Sequence, residues 1–270
     1  LNTLFTGDIY SKGTWGLSNA TSYKVRYKYN GQFQINYRNV VQGERQFSDF
    51  SQSREFFVRW RHNNDPKFNP GSSFKALINA GTSTNFRNDY NNISASNYLT
   101  NTFNSNISWS KQFKKAISSN ININARHSQN SNTEIMTFSI PEISYNVNRF
   151  YPFKMLRKTS INKNFIHEII NQTNLNYQLN TKNEISLNSE SLLNNSFNDL
   201  LDKSRNGMKH NVSASTSIKL FSKNLTINPA YQLSSYWYLD QVNKSWDNVN
   251  NEVINDTVNQ FSQLYSQNLS

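Results

Sequence analysis

The sequence predicts an all-β fold, an antiparallel up-and-down transmembrane β-barrel to which this chain contributes about twelve strands as part of a larger barrel. The first of three observations is periodicity. In the run from Thr21 to Val40 the large apolar residues fall on odd numbers (Tyr23, Val25, Tyr27, Tyr29, Phe33, Ile35, Tyr37), and the even positions are polar. A period of two over adjoining runs describes strands with one wet and one dry face. The second is composition: hydrophobic residues make up 36% and mean hydropathy is −0.75, yet aromatics reach 14%. Few aliphatics, many aromatics and abundant Asn and Ser suit a barrel that buries a thin outer band around a wet lumen; disorder lacks such aromatics. The third is that the connections between strands sort alternately into long and short.

Taken in order, Leu1 to Tyr10 is a strand and residues 11–13 a turn. Trp15 and Leu17 open a strand running to Tyr29, and parity selects a three-residue loop, Tyr29-Asn30-Gly31, with Gly31 in the left-handed position of a bulge. After a polar loop at 42–53, Phe56, Val58 and Trp60 share one face of a strand, with Glu55, Arg59 and Arg61 on the other and Phe57 breaking the pattern. Pro66, Pro70 and Gly71 mark a turn before Phe74, Ala76 and Ile78. Strands follow around Phe103 to Trp109 and Ile117 to Ala125, with a short turn at 111–115. The strand from Thr133 changes phase after Pro141, which reads as a bulge. A basic, aromatic connection occupies 149–165, and a very long strand runs from Ile169 to Leu187. Glu190 to Arg205 has helical spacing. Met208 to Leu220 and Leu225 to Trp237 pair across a turn at 222–224, Pro229 reads as a bulge, and Phe261 opens a last strand.

Residues 1–270 are expected to form part of one barrel domain, with long loops at 81–100, 188–206 and 240–260. Long loops gather on one rim and short turns on the other, the connection at 149–165 excepted. In outer-membrane barrels the short-turn rim is periplasmic. Trp15, Tyr27, Trp60, Trp109 and Trp237 lie near strand ends, where amphipathic rings form membrane-interface girdles. Several runs approach the roughly 10 residues a tilted membrane strand needs, whereas soluble sandwiches use strands of about five or six.

Net charge is +11, but the cations alternate with tyrosines along strands, and no phosphate loop, zinc spacing or RNA-binding signature accompanies them. No nucleic-acid partner is expected. The chain has no cysteine and no apolar run long enough for a membrane helix. Leu1 is not an initiator methionine and no signal peptide is legible, so the chain is expected to be an interior piece of something longer. His62, His127, His167 and His210 share no metal-ligand spacing, no nucleophile–base arrangement stands out, and neither an enzyme nor a cofactor is expected. The polar parity of Lys24, Arg26, Lys28, Arg38, Arg59, Arg61 and Lys75 places them on a shared cationic wall. A solvated face of a two-sided soluble sheet, a general outer-membrane channel and a secreted β-rich adhesin stay open as alternatives.

Six blocks carry a family resemblance: Phe5 to Leu17 with Tyr23 to Gly31, then Val58 to Phe74, Phe138 to Lys154, Asn206 to Phe221 and Asn243 to Asp247. In this order they resemble the start and middle of the barrel in a divergent branch of the lipopolysaccharide-assembly outer-membrane proteins, the LptD family. The resemblance implies location in the outer membrane of a Gram-negative bacterium. It also implies delivery of lipopolysaccharide from a periplasmic bridge to the outer leaflet, through the lumen and a lateral opening beside the first strands. Lipopolysaccharide, the outer-membrane lipid bilayer, a lipoprotein plug subunit and periplasmic bridge proteins are the partners it implies. The seven cations are then lipopolysaccharide contacts. Better-known members tie their domains together with cysteine pairs, which this segment lacks.

Overall fold

A computed structural model describes residues 1–82, 102–114, 116–130, 133–156, 165–188, 204–220, 225–248, 251–258 and 260–270. The main sheet has twelve strands, each beside its predecessor in the chain except where a small hairpin intervenes: β1 (Asn2–Ile9), β2 (Trp15–Val25), β3 (Tyr29–Gln42), β4 (Ser51–Asn64), β5 (Ser72–Gly81), β6 (Thr102–Lys114), β7 (Ser118–Asn130), β8 (Ile135–Phe150), β9 (Asn174–Asn188), β10 (Arg205–Ser215), β13 (Ala230–Tyr238) and β16 (Ser262–Leu269). The two intervening hairpins are β11 (Ile218–Leu220) with β12 (Leu225–Ile227), and β14 (Gln241–Asp247) with β15 (Glu252–Val258). β1 stands first and β16 last in the strand order. β1 to β5 pair antiparallel in turn, as do β10, β13 and β16, as short connections between successive strands allow. The all-β expectation and the number of strands stand.

Several local expectations do not. The first hairpin turns at 26–28, not 29–31: Val25 pairs with Tyr29, and Lys28 N–H donates to Val25 C=O at 3.0 Å. Tyr27 takes the left-handed position (φ 63). Odd residues still pair with odd, so the faces survive, but Phe33 meets Thr21 rather than Tyr27. The reason lies at Gly31, which sits within β3 opposite Tyr23; a Cβ there would overlap the Tyr23 ring and come within 2.6 Å of the Arg61 carbonyl oxygen. The glycine answers to cross-strand packing, not to a turn.

Further along, Ile169 lies in a helix, α2 (Phe165–Gln172), which with α1 (Pro152–Leu156) interrupts the basic connection after β8. The strand expected from Ile169 begins instead at Asn174. β6 continues through Lys114, so its turn comes later than 111–115. Around Pro229 there is a break rather than a bulge: β10 stops at Ser215, and Thr216 N–H donates to the Pro229 carbonyl at 3.2 Å. Without its own N–H, proline cannot continue a ladder there. The acidic segment 240–260 holds the β14–β15 hairpin rather than an irregular loop. The expected helix at 190–205 and the turn at 222–224 lie outside the described residues, except that Arg205 begins β10.

The contacts divide the chain into two compact units: 1–110 with 124–140 and 184–204, and 111–123 with 141–183 and 205–270. In the first, the registers of β1 to β5 define two faces. One, the aromatic face, carries Trp15, Leu17, Tyr37, Phe56, Ile35, Val58, Ala80, Phe33, Trp60 and Ile78 in cross-strand rows. The other, the polar face, carries Ser18, Ala20, Gln34, Arg59, Asn79, Gln32 and Arg61. The alternation of the sequence fixes both, because a strand's side chains point to opposite sides in turn.

The core among the described residues is small: Val40, Phe57, Ala76, Phe103 and Leu187. Phe57, out of pattern in the sequence, lies on the polar face but is 2% exposed, its ring 6.3 Å from that of Phe103. By contrast Phe5 is 77% exposed, Leu17 59% and Phe56 47%. Apolar surface left in the open on that scale is the mark of a face meant for something other than water.

In the second unit, Met208, His210 and Val212 share a face with Leu233, Ser235 and Trp237. The opposite face is an amide–hydroxyl ladder: Ser215 Oγ donates to Asn174 Oδ1 at 3.0 Å, Ser213 Oγ to Asn176 Oδ1 at 2.5 Å and Ser234 Oγ to Asn211 Oδ1 at 2.5 Å. That ladder accounts for much of the Asn and Ser usage in this region.

Candidate functional site

Two arrangements in the first unit have the makings of function, one on each face.

On the aromatic face the rings gather at the two ends of the strands. At one end Trp15 lies 5.5 Å from Tyr37. At the other, beside the turns at 26–28 and 65–71, Tyr23, Tyr29, Trp60, His62 and Phe74 form a cluster. Tyr23 Oη lies 2.8 Å from His62 Nδ1 and accepts Trp60 Nε1–H at 2.8 Å, while His62 Nε2 lies 2.9 Å from Asn64 Oδ1. Tyr29 stacks on the imidazole and Phe74 meets it edge-on, each at 5.5 Å. From Trp15 to Val25, the partner of Tyr29, the strand covers about 33 Å at roughly 3.3 Å per residue. At the tilt of membrane barrels this projects to about 25 Å, the height of an apolar membrane band. Leu17, Ile35, Val58, Ile78 and Ala80 fill the space between the two ends.

The second unit repeats the chemistry: Tyr177 Oη lies 2.9 Å from His210 Nδ1, and the His210 ring is 4.2 Å from that of Trp237. Sequence reading missed both clusters. His62 and His210 read as isolated strand-end polar residues, and only the register brings a tyrosine and a tryptophan to each. His127 sits in β7 against Phe138 (4.9 Å), and His167 lies in α2. Among the described residues no group of His, Asp or Glu has the arrangement of a metal site.

Of the other aromatics expected at a membrane interface, Tyr27 is in the turn, and Trp109 in β6 and Trp237 in β13 are each 37% exposed.

The seven expected cations separate on the polar side. Lys24, Arg38, Arg59, Arg61 and Lys75 share the polar face. Arg26 and Lys28 belong instead to the turn, where Arg26 lies 4.7 Å over the Tyr27 ring and Lys28 5.7 Å over Phe68. Arg59 lies 5.2 Å over Phe57, and Arg38 stands opposite the fully buried Glu55 in the β3–β4 register. Lys24 and Arg61 line a cleft of about 490 Å³ whose other walls are Leu1, Asn2, Ser22, Tyr23, Asn30, Gly31 and Gln32. It combines two cations with four neutral amide or hydroxyl side chains, a set suited to an anionic group carried on a polyhydroxylated body. Sequence parity had identified the cations; the amides and Ser22 share that parity but carry no signal of their own.

The family model described as LptD protein matches residues 1–270, the whole chain. The chain belongs to the LptD family. No curated protein and no solved structure matches it. Membership accounts for the long two-faced strands and the small core among the described residues, because LptD proteins are outer-membrane β-barrels. It also assigns the chain a role in lipopolysaccharide assembly at the outer membrane of Gram-negative bacteria, in a family concerned with transport and assembly rather than enzymology. For an LptD chain, exposed Leu17 and Phe56 and an amide-rich opposite face are two halves of one design.

Proposed function

We propose that this chain builds part of the wall of an LptD translocon that delivers lipopolysaccharide from the periplasm to the outer leaflet. The aromatic face meets lipid, the polar face lines the lumen, and the turns at 26–28 and 65–71 lie on the periplasmic rim. The observation that carries this reading is the contrast between adjacent residues of one strand: Phe56 and Val58 stand on an apolar face with aromatic ends, while Arg59 and Arg61 stand on the other beside Gln34 and Gln32. Lipopolysaccharide is amphiphilic and anionic, so its phosphates and sugars need a wet, cationic passage. A lipoprotein plug subunit and periplasmic bridge proteins complete the machine in this reading.

Photo-crosslinking in living cells tests it. A photoreactive residue at Gln34 or Asn36 on the polar face should capture lipopolysaccharide, while one at Val58 should capture phospholipid. Heat-modifiable gel migration and a strict detergent requirement should accompany purification. Capture of lipopolysaccharide from neither polar position, with the protein present in the outer membrane, would leave a general channel as the better reading.

A further inference from the structure

The cationic wall is not uniform, and its differences point to one subsite. Arg59 is engaged over Phe57, and Arg26 and Lys28 over rings in or beside the turns. Arg38 has its own interactions. Lys24, Arg61 and Lys75 remain, exposed and, among the described residues, without an ion-pair or ring partner; of the three, Lys24 and Arg61 line one cleft. Lys24 comes from β2 and Arg61 from β4, and Gln32 of β3 lies between them, paired to Ser22 on one side and to Arg61 on the other. Asn2 of β1 pairs with Ser22 and closes the row Asn2–Ser22–Gln32–Arg61. Lys24 lies one step nearer the turn, opposite Asn30.

We infer that this cleft is a discrete subsite for a phosphorylated saccharide, with the phosphate held between Lys24 and Arg61 and the sugar hydroxyls met by Asn2, Ser22, Asn30 and Gln32. The inference rests on the reading of the polar face as the lumen and adds to it a location and a ligand geometry. A guanidinium presents paired donors to phosphate oxygens and an ammonium a mobile point charge, so the two together hold a group with several charged oxygens. Four neutral side chains around them distinguish a sugar phosphate from a bare anion, because hydroxyls need partners that both donate and accept, as amides and serine do. The cleft lies at the turn end of the sheet. In the orientation proposed above that is where substrate arriving from the periplasm first meets the wall.

The test uses the full-length protein in its native membrane, with a photoreactive amino acid in place of Gln32 and, separately, Gln34. Ultraviolet capture of lipopolysaccharide at position 32 should fall about a hundred-fold in a Lys24→Gln, Arg61→Gln variant and stay unchanged in Lys12→Gln, at the far connection, each charge-assisted contact contributing roughly a factor of ten. Capture at position 34 should persist in the double variant. Heat-modifiable migration of each variant establishes that it is folded. In purified protein, capture at position 32 should be suppressed by a phosphorylated glucosamine disaccharide, and not by the dephosphorylated disaccharide, inorganic phosphate or phosphatidylglycerol vesicles. Equal competition by phosphate or phosphatidylglycerol would overturn the saccharide assignment. Capture at 34 with none at 32, or undiminished capture at 32 in the double variant, would overturn the subsite while leaving the lumen reading intact. Capture at neither position would overturn the lumen reading itself.

Discussion

The Tyr23 hydroxyl lies 2.8 Å from His62 Nδ1 and accepts the indole N–H of Trp60 at the same distance. Both imidazole nitrogens are thereby engaged, Nδ1 with the tyrosine hydroxyl and Nε2 with Asn64 Oδ1 at 2.9 Å. The chain of donors ties β2 to two positions of β4 and braces the turn end of the aromatic face. Tyr23→Phe keeps the ring and removes the bridge, leaving Trp60 and His62 each one partner short, an expected loss of about 1–3 kcal/mol. Urea unfolding in vesicles followed by tryptophan fluorescence measures it. A loss no larger than that of Tyr265→Phe, 70% exposed and outside the cluster, would show that the bridge contributes nothing.

The ring of the same tyrosine covers Gly31. Gly31→Ala places a methyl group into that ring and 2.6 Å from the Arg61 carbonyl oxygen, so both β2 and β4 must shift. Stability should drop by about 1–3 kcal/mol, the usual range for overpacking. Combining it with Tyr23→Ala should recover part of that cost, since the ring can be removed but the Arg61 backbone cannot. Additivity of the two substitutions in a double-mutant cycle would mean that Gly31 is not there for the ring.

That pair also shows what was legible in the sequence. Period-two alternation reaches through every residue of a strand, so the faces, the strands and the alternation of connections are all written into it. Turn position is different. Asn30-Gly31 is a strong local turn signal, and Tyr27 is a poor candidate for φ of 63. Cross-strand packing of Tyr23 on Gly31 outweighs both, and packing between residues eight apart leaves no pattern in a single chain. The same holds for the candidate site. Lys24 and Arg61 were found by parity, but that Lys28 already had the Phe68 ring beside it depends on two turns meeting, which no single stretch of sequence shows. His62 and His210 looked isolated for the same reason.

If the aromatic face meets lipid, an arginine costs differently on the two sides of one strand level. Val58→Arg puts a charge in the middle of the apolar band and should cost about 2–4 kcal/mol, the midplane value for a lipid-facing site. Ala20→Arg is on the polar face, exposed, between Leu4 and Gln34, one row away, and should cost less than about 1 kcal/mol. Folding yield into vesicles of phosphatidylcholine, read by heat-modifiable migration, compares them. Equal costs would remove the distinction between the faces.

Phe56 and Phe57 make the sharpest contrast, because they are neighbours in sequence and opposite in environment. Phe57 is 2% exposed, 6.3 Å from the Phe103 ring, with the Arg59 guanidinium 5.2 Å from it; Phe56 is 47% exposed on the aromatic face. Removing a buried phenylalanine loses its burial and leaves a cavity, so Phe57→Ala should cost about 3–5 kcal/mol. The same truncation at Phe56 leaves no cavity, and the bilayer closes over the methyl group. Its cost should stay near 1–2 kcal/mol in vesicles, set by lost apolar area alone. Truncating Phe57 also takes the ring from beneath Arg59, which then joins Lys24, Arg61 and Lys75 as a free cation on the polar face. Lipopolysaccharide capture at Gln34, paired with Arg59, should therefore rise in those Phe57→Ala molecules that still fold, while Phe56→Ala leaves it unchanged. A Phe57→Ala protein as stable as Phe56→Ala would mean that the polar face holds no packed interior at this level.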